Sequence, residues 1–556
     1  MSTAAESLGQ AMYMASKDDR LWLLNVQRKL YARSWEQTNY VFEKLWGLIT
    51  DLRNLRVALD RVRRNHGART AGVDRVTVGQ VLVRGSEQFL ADVRSELREG
   101  KFCPEPVRRV LIPKPGKPGK FRPLGIPTVK DRVIQAAMKN ILEPIFEADF
   151  YPVSYGFRPG RSVHGAIAQL KTLLLPRGMK RWGTAEKPPF QWAIEGDIKG
   201  CFDNISHHGL MERVRRRISD AKLNRLVVAF LKAGVMSDKQ WIRTDRGTPQ
   251  GGILSPLLSN IALGAIEERY ERHVWPRGTA TRARRAPKGV QPSDPKAIAR
   301  RANSNRAYDR QHDRPVFVPI RYADDFIILV AHRNGNIEGC HATAEQEKAA
   351  LAKELESKLG LTLSEEKTLV TPVTSTMRFL GHHLRVRRHP YHGRLVPHAV
   401  IPKERSQRLR HTIKGVFSRA TLNSTLENRL GVVNPILRGW ANFYKHAWGA
   451  KRVFVAIDHY VWWTIHRWLH KKHHSSLNWQ IYAQYTWRKP RGRMRRWRDG
   501  TTKLVSISST RVGRFLFGWQ KPPLFASTPM ESPVRNERRT PGSARGVRKP
   551  RGKTHG

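Results

Sequence analysis

Two adjacent aspartates beside an apolar segment constrain the fold of this chain more than any other feature. Asp324 and Asp325 follow Tyr322 and stand directly before the apolar run 326–330. Apolar residues on both sides of a short polar segment predict a β-hairpin. Burying a carboxylate in apolar surroundings costs free energy unless the carboxylate is paired. Aspartate is also common in ordinary turns. The two residues alone therefore leave a structural turn and a functional site open.

A third carboxylate favours the functional interpretation. Asp197 stands at the end of a strand predicted in the segment QWAIEGDI. Carboxylates from separate strand ends, once brought together, are the oxygen ligands that hard divalent cations prefer. Two such cations about 3.5–4 Å apart stabilise the attacking and leaving oxygens of a phosphoryl transfer. The sequence therefore predicts nucleotidyl transfer at a site formed by Asp197, Asp324 and Asp325.

Segments rich in glycine, proline and basic residues could hold a nucleotide near these acids. The loop GTPQGG carries Gln250 and leads into a predicted helix with Ser255 as its N-cap. A basic β-hairpin predicted at 107–126 and the segment YGFRPGRS supply donors for a triphosphate, namely Lys120, Arg122 and Arg158. Each cation could equally be a solvated surface charge. The coincidence of all these segments on one chain favours the nucleotide site.

The charge of the chain indicates its class of partner. Lys and Arg number 101 against 46 Asp and Glu, a formal net charge of +55, which favours polyanions such as nucleic acids. No apolar run approaches the roughly 18 residues that span a membrane, and the opening MSTAAESLGQ does not resemble a secretion signal. Three scattered cysteines offer neither a disulfide framework nor a C-x-x-C zinc site. We expect a cytoplasmic protein bound to RNA or DNA.

Seven segments, in order over roughly 57–447, resemble the group II intron-encoded proteins, which are reverse transcriptases with a maturase domain. They are KFRPLGIPTVKDRVIQ, SYGFRPGRSVHGAI, EGDIKGCFDNI, GTPQGGILSPLLSNI, RYADDFIIL, RFLGHHL and NPILRGWANFYKHA. The resemblance implies an α+β right-hand polymerase. Its expected parts are a helical N-terminal extension (1–90), fingers and palm (91–400), a thumb or maturase domain (401–460), a basic aromatic region (461–525) and a disordered basic tail (526–556). Residues 276–315, which are rich in Arg, Ala, Pro and Ser, are expected to form a basic insertion or flexible loop.

The resemblance also implies roles for single residues. Asp197 and Asp324 would be the main ligands of two Mg²⁺ ions, with Asp325 as a supporting acid. Lys120, Arg122 and Gln250 would contact the incoming nucleotide, and Gly381 would place the primer end. Phe202, five positions after Asp197, stands where reverse transcriptases carry an aromatic ring that excludes a 2′-hydroxyl. We therefore expect DNA as the product, which argues against an RNA-copying RNA polymerase.

The C-terminal part is rich in tryptophan, histidine and basic residues. His466 and His470 stand at helical spacing, but without further ligands a metal site is disfavoured relative to a nucleic-acid surface. A packed helical core would account for many of the tryptophans. The residues expected to contact nucleic acid are Arg438, Lys445, Lys471, Lys472, Arg488, Lys489, Arg495 and Arg496.

The resemblance implies group II intron RNA, target DNA and deoxynucleoside triphosphates as partners, no membrane, and leaves a homodimer open. The cysteine count indicates the form without the zinc-type HNH endonuclease. Two alternatives stay open. One is another reverse transcriptase class, such as a retron, diversity-generating or CRISPR-associated enzyme, and the other is an RNA-folding splicing factor without catalysis.

Overall fold

A computed structural model provides the structure. It describes residues 15–113, 119, 121–176, 188–237, 240–276, 295–332, 337–389, 393–488, 495–513, 515 and 525. The predicted contacts of Lys120 and Lys489 and the predicted disordered tail lie outside the described residues.

Helices dominate the described chain. In chain order they are α1 Lys17–Glu36, α2 Trp46–Ile49, α3 Leu52–Arg64, α4 Val78–Glu99, α5 Val129–Asp149, α6 Val163–Leu174, α7 Cys201–Asn204, α8 His207–Arg215, α9 Ala221–Lys232, α10 Ser255–Arg269, α11 Glu271–Val274, α12 Pro295–Gln311, α13 Ile337–Leu359, α14 Lys403–Val416, α15 Leu426–Tyr444, α16 Ala450–Lys472 and α17 Asn478–Tyr485. The strands are β1 Val107–Pro113, β2 Phe121–Ile126, β3 Trp192–Asp197, β4 Val235–Ser237, β5 Gln240–Ile242, β6 Val316–Tyr322, β7 Asp325–Ala331, β8 Leu369–Pro372, β9 Met377–Phe379, β10 His382–Arg388, β11 Leu395–Val400, β12 Thr486–Arg488, β13 Arg495–Asp499 and β14 Thr502–Lys503. The α+β fold class is confirmed.

Two four-stranded sheets frame the predicted site. The palm sheet has the order β6-β7-β3-β8, and the fingers sheet has the order β2-β1-β4-β5. Strands β6 and β7 form the predicted hairpin, while β1 and β2 form the predicted basic hairpin. Strand β7 is buried along almost its whole length, because β6 and β3 flank it and helices cover the sheet. The palm sheet therefore gives a rigid base to the residues at its strand ends.

The N-terminal helices belong to the fingers and palm core rather than to a separate unit. On α1, the Gln27 side chain donates to the carbonyl of Asn140 at 2.9 Å, and Ser34 donates to the carbonyl of Ile145 at 2.8 Å. Leu55 on α3 is fully buried in the core that also contains α5. The helical character predicted for this part is confirmed, but α4 runs across the boundary expected at residue 90.

The predicted insertion contains a helix. Residues 277–294 lie outside the described part, but α12 covers 295–311, where we expected flexible chain. Ile298 and Ala302, four residues apart, are buried against the palm, and the buried Asp309 pairs with Arg272 and His273. A few buried contacts therefore fold a segment whose overall composition is basic and polar.

The C-terminal helices share one apolar core, the thumb core, which extends from Ile401 to Ile507. Helix α16 passes without interruption through the boundary expected at 460/461. Trp497, on β13, is fully buried in this core beside Trp462. The two predicted C-terminal regions are therefore one packed unit. Within the described ranges, no helix is both long enough and apolar enough to cross a membrane.

Candidate active site

The palm sheet brings the three predicted carboxylates together. Asp197 ends β3 and is the register partner of Asp325, the first residue of β7. Residues opposite each other in an antiparallel pair point to the same face of the sheet. Asp324 occupies the turn between β6 and β7, directly after Ala323, whose φ of 58° lies in the left-handed region. Residues separated by 127 and 128 positions therefore meet at one edge of the sheet.

The environment of these acids opposes their ionisation. Burial, and then the negative charges of Asp324 and Asp197, raise the pKa of Asp325 to about 6. Burial also raises the pKa of Asp324, a shift that the charge of Asp197 reinforces and that Arg122 and Lys367 oppose. Like charges held close together each favour protonation of the others. The cluster therefore has a strong electrostatic demand for cations.

Lys367, which no motif in the sequence indicated, meets part of that demand. Its ammonium donates a hydrogen bond to Oδ2 of Asp197. This bond is the main cause that raises the pKa of Lys367. The loop that carries it is held in place because the backbone N–H of Ser364 donates to the carbonyl of Asp197 at 2.8 Å. The two residues are 170 positions apart, so no sequence spacing could have indicated the pair.

The site suits divalent cations chemically. Three carboxylates supply hard oxygen donors, and a lysine ammonium already stands in for a cation at one of them. The side chains are not yet gathered as ligands of one ion, because among the described residues no three His, Cys, Asp or Glu side chains form such a group.

A fully buried arginine, Arg321, supports the catalytic turn, which is the turn between β6 and β7 that carries Asp324. Arg321 donates to the carbonyl of Ala323 at 3.0 Å and to the amide oxygen of Asn260 at 3.1 Å. It also donates to Oε1 of the buried Glu267 at 2.7 Å and to the hydroxyl of Ser154 at 2.9 Å. The guanidinium thus joins the turn to α10 and to the segment before α6. Arg321 directly precedes the YADD motif. Its role could not be inferred from the sequence, because three of its four hydrogen-bond partners are distant along the chain.

Gly156 lies against the same turn from the other side. A Cβ atom at this position would lie 2.2 Å from the backbone nitrogen of Ala323, far inside van der Waals contact. The amide of Asn260 donates to the carbonyl of Gly156 at 2.7 Å and keeps the two backbones together. The glycine of SYGFRPGRS is therefore needed for a close approach, which explains why this segment and the YADD turn belong to one site.

The glycine-rich loop joins the fingers to the palm. Its Gln250 accepts a hydrogen bond from the backbone N–H of Gly125 on β2 at 2.6 Å, and its amide donates to Asp203 at 3.2 Å. Gly251 has a φ of +119°, and a Cβ atom there would lie 2.3 Å from the carbonyl of Gly125. The side chain of Gln250 is thus held beside α7, the short helix that also carries Phe202.

The predicted cap of the following helix is wrong. Leu254 is the N-cap residue of α10, and it makes no side-chain cap hydrogen bond. The hydroxyl of Ser255 donates instead to the carbonyl of Pro249 at 2.8 Å, which closes the loop on itself. A serine before a proline is a common start for a helix, but here the loop geometry takes the hydroxyl.

Phe202 and Arg122 lie at the same opening. Phe202 is half-buried, and its ring makes an edge contact with Phe157 at a centroid distance of 6.1 Å. The backbone carbonyl of Phe202 accepts from the N–H of Thr248 at 2.6 Å, which fixes its position relative to the loop. The exposed Arg122 is close enough to Asp324 for its charge to lower the pKa of that acid. Both side chains are therefore near the carboxylates.

Arg158 does not face the site, and its predicted nucleotide contact is not supported. Its side chain is almost fully buried and is paired with Glu147 at 2.7 Å. Its Nη1 group donates to the carbonyls of Tyr151 and Ser154, both at 2.7 Å. Four of the five N–H groups of the guanidinium are thus used inside the protein, away from any triphosphate. It instead ties the end of α5 to the segment that carries Gly156.

Gly381 lies where the palm meets the thumb core. It has a φ of +74° in the tight connection between β9 and β10, and its carbonyl accepts from the hydroxyl of Tyr444 on α15 at 3.1 Å. The next residue, His382, is buried with its ring 5.2 Å from that of Tyr444. The thumb core is thus fixed to the palm at the position predicted to place the primer.

The predicted nucleic-acid contacts divide into two groups. Four side chains are exposed, and three are partly buried, the latter being Lys445, Lys472 and Arg496. Lys472 donates to the carbonyl of Leu422 at 2.6 Å and therefore partly serves the thumb core. The exposed group comprises Arg438, Lys471, Arg488 and Arg495.

The aromatic residues of this region divide into buried and exposed side chains. Trp497 and Trp468 are buried in the thumb core, whereas 43% of Trp463 and 66% of Trp479 are exposed. His466 and His470 both hydrogen-bond to the amide oxygen of Asn478, at 3.1 and 2.6 Å. That arrangement holds the end of α16 against α17 and gives the two histidines a structural role.

Comparison with known proteins agrees with this geometry. Residues 112–384 match the family described as reverse transcriptase (RNA-dependent DNA polymerase), and residues 406–487 match the maturase-specific domain of group II introns. The chain is 36% identical over 382 residues to the protein YkfC of Escherichia coli, covering 69% of this chain and 93% of the relative. It is 35% identical over 396 residues to the group II intron-encoded protein LtrA of Lactococcus lactis, covering 65% of this chain and 60% of that relative. The match to LtrA therefore spans less than two thirds of that relative. The match to the reverse transcriptase family confirms the predicted right-hand polymerase fold.

Proposed function

Since the chain belongs to the family of group II intron-encoded reverse transcriptases with a maturase domain, we propose that it copies RNA into DNA and assists the splicing and mobility of its own intron. The pairing of Asp197 with Asp325, beside Asp324 in the turn, is the observation that carries the polymerase part. The maturase part rests on the thumb core and its basic surface. This role would keep the protein in the cytoplasm, bound to RNA or DNA.

The reaction is attack of a primer 3′-hydroxyl on the α-phosphate of a deoxynucleoside triphosphate, with release of pyrophosphate. Two Mg²⁺ ions held by Asp197, Asp324 and Asp325 would neutralise charge on the reacting phosphates. The protein mainly binds and orients. Arg122 approaches from the fingers hairpin, and the Gln250 side chain is held at the opening by Asp203.

Phe202 supports DNA as the product. Its ring is fixed between the loop and Phe157, so it can pack against a deoxyribose and collide with a 2′-hydroxyl. Phe202→Ala should raise the incorporation of ribonucleotides relative to deoxyribonucleotides in primer extension. An unchanged ratio would show that another group selects the sugar.

The exposed cations of the C-terminal unit support intron RNA and target DNA as partners. Arg438, Lys471, Arg488 and Arg495 offer charge to phosphates, and the exposed rings of Trp463 and Trp479 offer faces on which bases can stack. Binding should weaken steeply with salt, with a slope near roughly −0.7 for each single-strand phosphate neutralised. A homodimer remains compatible with this role.

The decisive experiment separates catalysis from RNA binding. Asp324→Asn should lower primer extension by at least about a hundredfold, because metal-held charge contributes several kcal/mol to such a step, while binding of the intron RNA is retained. Asp92→Asn, on an exposed face of α4, is the matched control and should change neither. Equal extension by both variants would refute the assigned site.

The RNA partner itself identifies the class. RNA that copurifies with the protein from its native cell at mild salt should be enriched in one structured RNA that encodes this same chain. A short non-coding RNA or a repeat-array transcript would instead place the protein in another reverse transcriptase class. RNA binding without any primer extension by the unmodified protein would favour the non-catalytic splicing factor.

A further inference from the structure

Lys367 is the one cation in hydrogen-bond contact with a catalytic carboxylate among the described residues. Its side chain is 55% exposed, whereas that of Asp197 is 22% exposed, so the lysine reaches from solvent into the site. A lysine is a compact point charge on a flexible four-carbon chain. Its ammonium can therefore leave the site without any movement of the backbone that carries it.

The backbone under Lys367 is held to the palm strand. The N–H of Ser364 donates to the carbonyl of Asp197 at 2.8 Å, and the N–H of Lys199 donates to the carbonyl of Thr362 at 3.0 Å. An isolated β-bridge joins Ile198 to Leu363 between these two bonds. The backbone that carries Lys367 is thus held to the same strand as Asp197. The ammonium group can move by rotation about the bonds of the side chain.

Lys367 interacts electrostatically with all three carboxylates of the cluster. Its charge acts on Asp324 and Asp325 as well as on Asp197. Three carboxylates at one sheet edge repel one another unless a cation is present. Arg122, the other cation that acts on Asp324, comes from the fingers and is exposed. Lys367 is therefore the cation that the palm itself provides.

We propose that Lys367 is a displaceable counter-ion, which offsets part of the charge of the carboxylate cluster before divalent ions bind and must leave Asp197 when they do. The inference rests on the proposed function only in taking these carboxylates as the metal site. An ammonium bonded to Oδ2 of Asp197 occupies a position that a metal would need. Lysine and metal therefore compete. The lysine reduces the repulsion among the carboxylates when no metal is bound, and it weakens metal binding in return.

The test is direct metal binding by the full chain, with Mn²⁺ as the probe because its free form is counted by electron paramagnetic resonance. Lys367→Met should bind Mn²⁺ about twofold to fivefold more tightly than the unmodified protein, a change typical of one partly exposed ion pair. It should also melt at a lower temperature in EDTA and gain more on adding Mn²⁺. Neither readout depends on catalysis.

Lys358→Met is the matched control. Lys358 is 59% exposed and pairs with Glu354 on α13, so this variant removes the same charge and a similar ion pair away from the site. It should leave Mn²⁺ affinity unchanged. Adding Asp324→Asn to Lys367→Met should abolish the gain in affinity, which locates the effect at the carboxylates.

The outcomes separate the two claims. If the unmodified protein binds Mn²⁺ and extends primers but Lys367→Met binds it no more tightly than Lys358→Met does, the counter-ion role is overturned and the proposed function stands. If Asp324→Asn changes neither Mn²⁺ binding nor extension, the metal site and the proposed function both fail.

Discussion

His382 should make the junction between palm and thumb sensitive to acid. The ring is buried, and it packs 5.5 Å from the ring of Phe443 and 5.2 Å from that of Tyr444. Burial, together with the positive charges of nearby basic groups, lowers the pKa of His382 to about 4, although a hydrogen bond to the carbonyl of Leu380 opposes the shift. The folded protein therefore holds this histidine neutral at pH values at which an unfolded chain protonates it.

The sign and size follow from the two pKa values. The pKa is 6.5 for an exposed histidine and about 4 for His382 in the folded protein. The unfolded state thus binds more protons, so this contribution to stability is complete above pH 6.5 and is lost as the pH falls toward 4. Since one pKa unit corresponds to about 1.4 kcal/mol, the loss between pH 7 and pH 5 is about 2 kcal/mol.

The assay compares the unmodified protein with His382→Phe, which keeps an aromatic ring and removes the titration. Urea unfolding is followed at pH 7 and pH 5, which gives the change in the free energy of unfolding between the two pH values for each protein. The quantity of interest is the difference between these two changes. Other groups cancel in that difference, including Asp131, whose pKa burial raises to about 7 and which acts in the opposite direction. An identical pH effect in both proteins would refute the reasoning, because His382 would then titrate normally in the folded state.

Three further outcomes follow from the contacts around the catalytic turn. Gly156→Ala should abolish most primer extension, because its Cβ must displace Ala323, whereas Gly47→Ala, where nothing lies within 4 Å, should be nearly neutral in primer-extension kinetics. Arg158→Met should cost about 3–5 kcal/mol in urea unfolding because it leaves a buried carboxylate unpaired, and a stability loss without a change in the KM for nucleotide would separate this role from nucleotide binding. Arg321→Lys should lower kcat more than the KM for nucleotide, since one ammonium cannot make all four bonds to the turn and its supports; steady-state kinetics that show only a raised KM would contradict this.

Local signals in the sequence determined most of the secondary structure around the site. The hairpin of β6 and β7, the strand that ends in Asp197 and the basic hairpin of β1 and β2 all follow from short apolar runs and their turns. Such patterns are local, because the alternation of side chains along a strand needs no distant partner. The acidic residues could be selected for the same reason, since a carboxylate beside an apolar run is unusual wherever it occurs.

Only the tertiary structure decided which residues act together. Asp197 meets Asp325 because β3 pairs with β7, and Lys367 reaches Asp197 because a loop 170 positions later packs beside that strand. Arg158 is the type of residue that contacts a phosphate ligand, yet its side chain is buried and forms a structural ion pair with Glu147. Burial, pairing and charge balance depend on contacts between distant parts of the chain. A sequence can therefore nominate residues for a site, while packing determines which of them face it.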